Sequence, residues 1–217
     1  MLKISVYLVM VIVAFCTIVS AQEAPSVNDY KYIRIGDLQT RVSAYGSERA
    51  WNNSYYEGLK WPAQYPYTDN FVIKRFWYAV EDFTDENGVG WDHWANYLYA
   101  GYVDHSIFLK KLEQVAKFEP PTVYVDGNNI TAPYAEDVDR VDPNIPSDRV
   151  VINTINTSAG LTITRKVYAF SQQYHDDYFI KVFTYKNTGN TDADNDIELT
   201  GDLKGLRIGA GTRYGSR

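Results

Sequence analysis

RVVINTIN (Arg149–Asn156), TSAG (Thr157–Gly160) and LTITRKVYAF (Leu161–Phe170) follow one another without a break, and the way they alternate decides the fold. In the last run Leu161, Ile163 and Val167 are separated by Thr162, Thr164 and Lys166, the period of two that a half-buried strand requires. A short polar connector ending in Gly160 closes the two runs into a hairpin. Next comes YFIKVFTYK (Tyr178–Lys186), with Tyr178, Ile180 and Val182 on one parity and Phe179, Phe183 and Tyr185 on the other. Bulky groups on both faces predict a central strand covered from both sides. Asn187-Thr188-Gly189-Asn190 ends that strand, and Ile197 to Thr200 is expected to open another.

The same pattern continues upstream. Tyr30 to Ile35 and Leu38 to Ala44 bracket Gly36-Asp37, and Phe71 to Val80 and Trp94 to Val103 bracket a loop containing Asp85-Glu86-Asn87-Gly88, predicting two further hairpins. Ser106 to Glu119 stays open between helix and strand: Phe108, Leu112 and Val115 have helical spacing and Pro120-Pro121 would stop a helix, yet an edge strand fits too. Tyr124 to Ile130 reads as a turn, Ala135 to Arg149 as a proline-interrupted acidic loop, and Gly209 to Arg217 as a polar, glycine-rich end with no closing strand. The expected architecture is all-β, an antiparallel β-sandwich with at most one short helix, incomplete at its C-terminus and read as the front part of a longer protein.

Lys3, the apolar run Ile4 to Val19 and the small residues of Val19-Ser20-Ala21 have the layout of a secretory signal peptide, cut after Ala21. An apolar run of about 16 residues is short of the roughly 20 a spanning helix needs. Residues 1–21 are thus expected to leave, taking both methionines and the one cysteine, Cys16, and residues 22–217 form the working domain without thiols or disulfides. The expected location is secreted, cell-surface or periplasmic, with no stable membrane insertion after cleavage. Without Lys3 the domain carries 20 basic and 27 acidic residues, a net charge of −7, which argues against nucleic acid and anionic membranes as partners. Other extracellular protein modules or glycans are the partners expected.

Three stretches, WNNSYYEGLKWPAQYPYTDNFVIKRFW (residues 51–77), AKFEPPTVYVDGNNITAPYAEDVDRVDPN (116–144) and RKVYAFSQQYHDDYFIKVFTYKNTGNTD (165–192), resemble the N-terminal region of long, uncharacterised secreted β-sandwich proteins of environmental bacteria. Those proteins continue into further sandwich modules and end in a type IX secretion sorting domain. The resemblance implies export and β-architecture and assigns no chemistry. FTYKNTGN (Phe183–Asn190) also resembles the strand-to-turn signature of adhesion-type β-sandwich modules.

For a ligand, aromatics are the lead. Trp51, Trp61, Tyr65 and Trp91 lie in loop-like sequence that would expose them, and exposed rings stack on sugars and dominate interfaces; Trp77, mid-strand, is expected in the core. For a metal, Asp192, Asp194 and Asp196 alternate as calcium ligands in a loop can, although Ile197 and Leu203 break the EF-hand pattern and a solvated acidic turn is the plainer alternative. No other cofactor is implied. No catalytic residue is assigned, because His93, His105 and His175 lack zinc-site spacing and no Gly-x-Ser-x-Gly is present. The functional expectation is therefore a secreted or cell-surface structural or adhesive module that works by binding. The alternatives are a carbohydrate-binding module and a fragment of a secreted glycoside hydrolase, the last needing two carboxylates such as Glu81 and Asp177 across a groove.

Overall fold

The computed structural model describes residues 29–46, 48–50, 59–65, 69–98, 107–130 and 138–216. The expected signal peptide, Trp51 and His105 lie outside them. Every regular element is a strand: β1 Tyr30–Ile35, β2 Leu38–Ser43, β3 Glu48–Ala50, β4 Leu59–Lys60, β5 Asp69–Thr84, β6 Gly90–Leu98, β7 Ile107–Ala116, β8 Tyr124–Val125, β9 Asn128–Asn129, β10 Arg140–Val141, β11 Arg149–Thr157, β12 Leu161–Ala169, β13 Ile180–Asn187 and β14 Lys204–Ser216. The open segment Ser106 to Glu119 resolves as strand β7. Its pairing with β11 over nearly its whole length supplies the ladder bonds that outweigh a helical spacing of apolar residues.

Two sheets pack face to face. Five strands in the order β10-β7-β11-β12-β13 form sheet B, antiparallel except for the two-residue parallel contact of β10 with β7. Sheet A has seven strands, β1-β2-β4-β5-β14 with β3 and β6 also on β5. Strand β5 organises sheet A. Along one edge it pairs successively with β4, β3 and β6, and along the other with β14 from Asn70 to Glu81. One core joins the sheets: Ile33, Val42, Tyr78, Val80 and Leu98 from or beside sheet A meet Leu112, Val151, Ile155, Ile163 and Val167 of sheet B. Each such side chain contributes about 1.5–3 kcal/mol by leaving water. Asp82, at φ 47°, interrupts the alternation of β5 so that Phe83 re-enters this core three residues after Val80.

A polar bolt crosses the apolar core. Asn153 on β11 is buried; its Nδ2 donates to Ala44 O (2.8 Å) and Lys111 O (3.0 Å), and its Oδ1 accepts from Arg165 Nη2 (3.3 Å). Arg165, directly opposite Asn153 in the β11–β12 register and 1% exposed, also donates from Nη2 to Ser43 O (2.6 Å). These bonds tie the end of β2 in sheet A to three strands of sheet B.

Three expectations need correction at the sandwich margins. Strand β13 is the edge of sheet B, not a central strand. Phe183 and Tyr185 pack on the core, Phe183 within 4.8 Å of Phe76 by ring centroids, while Ile180 and Val182 on the opposite parity are exposed. The glycine-rich end predicted to lack a strand forms β14, whose outer edge carries no partner strand among the described residues. Ile197 to Thr200, by contrast, is irregular.

Candidate binding surfaces

The outer face of sheet A holds an aromatic surface that the sequence hid. Phe76, Tyr78 and Val80 point into the core, so the intervening Trp77 faces outward and is 41% exposed, correcting its expected burial. Directly across β6 stands Tyr97, 42% exposed, and across β14 stands Gly209. A Cβ on Gly211 would lie 2.7 Å from Trp77 Cη2 and 2.8 Å from Cζ3, and one on Gly209 would lie 3.7 Å from Cε3. The Cε3–Cζ3–Cη2 edge of the indole therefore runs beside two glycines of the edge strand, where a larger side chain at Gly211 would collide with it. Aromatic covering of strand glycines is a recurrent way to stabilise such an edge. Exposed Arg75 flanks the ring two residues before it, Ala79 and Ala95 leave the next row low, and Arg207 Nη2 meets Glu81 Oε1 at 2.6 Å beyond them. Two signals mark this site: the parity of β5 and the Gly-x-Gly of β14. Neither means anything until the β5–β14 register is known.

The expected aromatic platform divides between two ends of the molecule. Trp61 (54% exposed) and Tyr65 (59% exposed) follow β4, whose Lys60 pairs with Asp69 at the start of β5. Trp61 Nε1 donates to Asp177 Oδ1 (2.8 Å), and the neighbouring Asp176 packs against Gly36 in the β1–β2 turn, where φ is +60°. Trp91 (44% exposed) instead pairs with Phe83, fourteen residues further along β5, on the order of 45 Å at about 3.3 Å per residue. Trp61 and Tyr65 can share a face, but Trp91 cannot join it, and Trp51 lies outside the described residues. The same register separates Glu81 from Asp177, so these carboxylates do not face each other across a groove.

Trp91 borders an acidic cleft of about 340 Å³, lined among others by Glu81, Asp82, Asp85, Glu198, Asp202 and Lys204. Most of its carboxylates already have partners. Asp85 accepts the backbone N–H of Val89 and of Asn87 (both 2.9 Å) and Trp91 Nε1 (3.4 Å), and the Val89 bond foremost holds its carboxyl below the ordinary range. Asp82 has Lys204 at 3.8 Å. Beside the cleft, Asp192, Asp194 and Glu198 each offer an oxygen within 4.8 Å of the others. Glu198 thus stands where Asp196 was expected, while Asp196 is turned by its own N–H onto Asp194 Oδ1 (3.0 Å). Three hard oxygens at that spacing suit calcium. On the other side of the same loop, Lys110 Nζ donates to Ala193 O (2.7 Å), Asp194 O (2.5 Å) and Asn195 Oδ1 (3.2 Å), supplying a positive charge from within the chain.

No protein-family model matches the chain, and no curated protein or solved structure matches it. The fold and these surfaces define the class, an all-β protein of two packed, largely antiparallel sheets.

Proposed function

We propose that this chain is an extracellular β-sandwich module that works by binding, and that carbohydrate recognition is the form of binding its surface favours over a purely structural or adhesive role. The observation that carries the proposal is Trp77, 41% exposed on the outer face of sheet A, the edge of its indole held against Gly209 and Gly211 and beside exposed Tyr97. A ring fixed this way loses little side-chain entropy when a pyranose stacks on it, so more of the contact energy remains as affinity. Trp61 and Tyr65 add a second exposed pair at one end of the sandwich. A structural or adhesive role has its own support in β14, a 13-residue strand with no partner along one side among the described residues, which could accept a strand from another module. A glycan array probed with the folded chain separates the two. Signals that vanish in Trp77→Ala support carbohydrate recognition. A folded chain that binds no glycan transfers the weight to the adhesive role.

A further inference from the structure

The turn after β4 in sheet A and the loop between β12 and β13 in sheet B meet at one end of the sandwich. On the sheet A side the turn is fixed by its backbone, Ala63 N donating to Asp37 O (2.7 Å) and Tyr65 N to Pro62 O (3.3 Å). From sheet B, Asp176 packs against Gly36, and Asp177 Oδ1 accepts from Trp61 Nε1 (2.8 Å). The indole that Asp177 holds is nevertheless 54% exposed, with Tyr65 59% exposed and Tyr174, on the same loop as Asp177, 85% exposed. A large apolar side chain gains about 1.5–3 kcal/mol by leaving water completely, and roughly half of that is forgone here. A ring fixed in orientation yet left in water adds little to the fold and suits a ligand.

We infer that Trp61, Tyr65 and Asp177 form a second sugar site, which takes a pyranose of a neutral glycan. The ring face of the sugar stacks on the indole, and one of its hydroxyls donates to the oxygen of Asp177 that Trp61 does not use. This rests on the carbohydrate-binding function proposed above and adds a site to it. Trp77 stands eight residues along β5 from Asp69, the partner of Lys60, on the order of 26 Å at about 3.3 Å per residue, so the two sites take separate sugars. The carbonyl partner Asp37 and the packed Asp176 put two further acidic residues at this junction, and like charge turns away uronates, which sets the neutral class. Because Asp177 holds the indole before the sugar arrives, little side-chain freedom is lost on binding.

The test is a glycan array of neutral and uronate oligosaccharides probed with the parent chain, Trp77→Ala, Trp61→Ala and Asp177→Asn, each variant checked by a thermal melt. A group of neutral-glycan signals is expected to persist in Trp77→Ala, and titration of its strongest member should show binding weakened about tenfold in Trp61→Ala, the worth of one stacked ring. Tyr65→Ala reads the same site should Trp61→Ala lose its fold. Asp177→Asn keeps a carbonyl oxygen for the indole N–H and turns the other oxygen into a donor, so Tm should stay parental while binding of that glycan falls. Unchanged binding there overturns the contact assigned to Asp177. Loss of every signal in Trp77→Ala, or signals untouched by both Trp61→Ala and Tyr65→Ala, overturns the second site and leaves the outer-face reading standing. Signals confined to uronate glycans overturn the neutral class. A folded parent that binds no glycan overturns the carbohydrate reading and this site with it.

Discussion

Replacing Asn153 with alanine tests whether a polar bolt, and not apolar packing alone, fixes how the two sheets meet. The side chain makes two neutral hydrogen bonds, to Ala44 O and Lys111 O, and one with the guanidinium of Arg165. Neutral bonds are worth about 1 kcal/mol each and a charged one about 1.5–3 kcal/mol, so the loss comes to about 4 kcal/mol. For a domain of this size that is a fall in Tm of about 8–16 °C, read by calorimetry or by circular dichroism. Asn153→Asp is the sharper variant. Its carboxylate would accept well from Arg165 but has no proton for the two carbonyls, so it should be at least as destabilised as the alanine variant at neutral pH. A melt of Asn153→Ala within about 2 °C of the parent would refute the reasoning. An aspartate variant of parental stability would show that pairing with Arg165 outweighs the bonds to Ala44 and Lys111.

Glu113 gives a pH prediction: burial pushes its carboxyl up, but hydrogen bonds and charges from Lys111 and Arg140 (2.6 and 2.8 Å) outweigh burial and hold it below its ordinary 4.5. A lowered folded value means a stabilisation complete above the unfolded value and lost as pH falls through the folded one, so Tm should drop on acidification below about pH 4.5, and Glu113→Gln should flatten that limb in a pH series of melts. Gly189 sits at φ +72°, and a Cβ there would lie 1.7 Å from Leu199 O, so Gly189→Ala should cost more than ~2 kcal/mol in a urea titration, whereas Gly88→Ala, which meets nothing within 4 Å, should cost only the strain of its φ of +79°. Removing the ammonium held by the acidic loop in Lys110→Met should lower Tm by a few degrees, and more at low salt than at high salt, because three oxygens then face their acidic neighbours alone. An unchanged Tm at low salt would remove the electrostatic role given to Lys110.

Local pattern carried the strands but not their places in the sheets. Gly36-Asp37 and Thr157-Ser158-Ala159-Gly160 close the hairpins their composition predicts, because turn chemistry is decided within a few residues. The strand-or-helix choice at Ser106 to Glu119 was open for the opposite reason: β7 exists through its pairing with β11 some forty residues later. Strand β13 shows the limit more sharply. Its two apolar faces match a buried central strand, yet its place at the edge of sheet B leaves Ile180 and Val182 in water, and only the strand order, a long-range property, decides this.

Trp77 follows from the same limit. Mid-strand tryptophans are commonly buried, and nothing within ten residues of this one says otherwise. The information lies in Gly209-Ala210-Gly211, more than 130 residues away, which reads as a flexible end until β14 is laid against β5. Once paired, the missing side chains cease to be a weakness of the strand. They leave the space that the edge of the indole fills, so the residues that make the C-terminal segment look least like a strand are those that accommodate the outward ring. Glycines spaced two apart on an edge strand, with the residue opposite them, therefore mark such a surface better than aromatics in loop-like sequence do, and Trp91 stands on the acidic cleft instead.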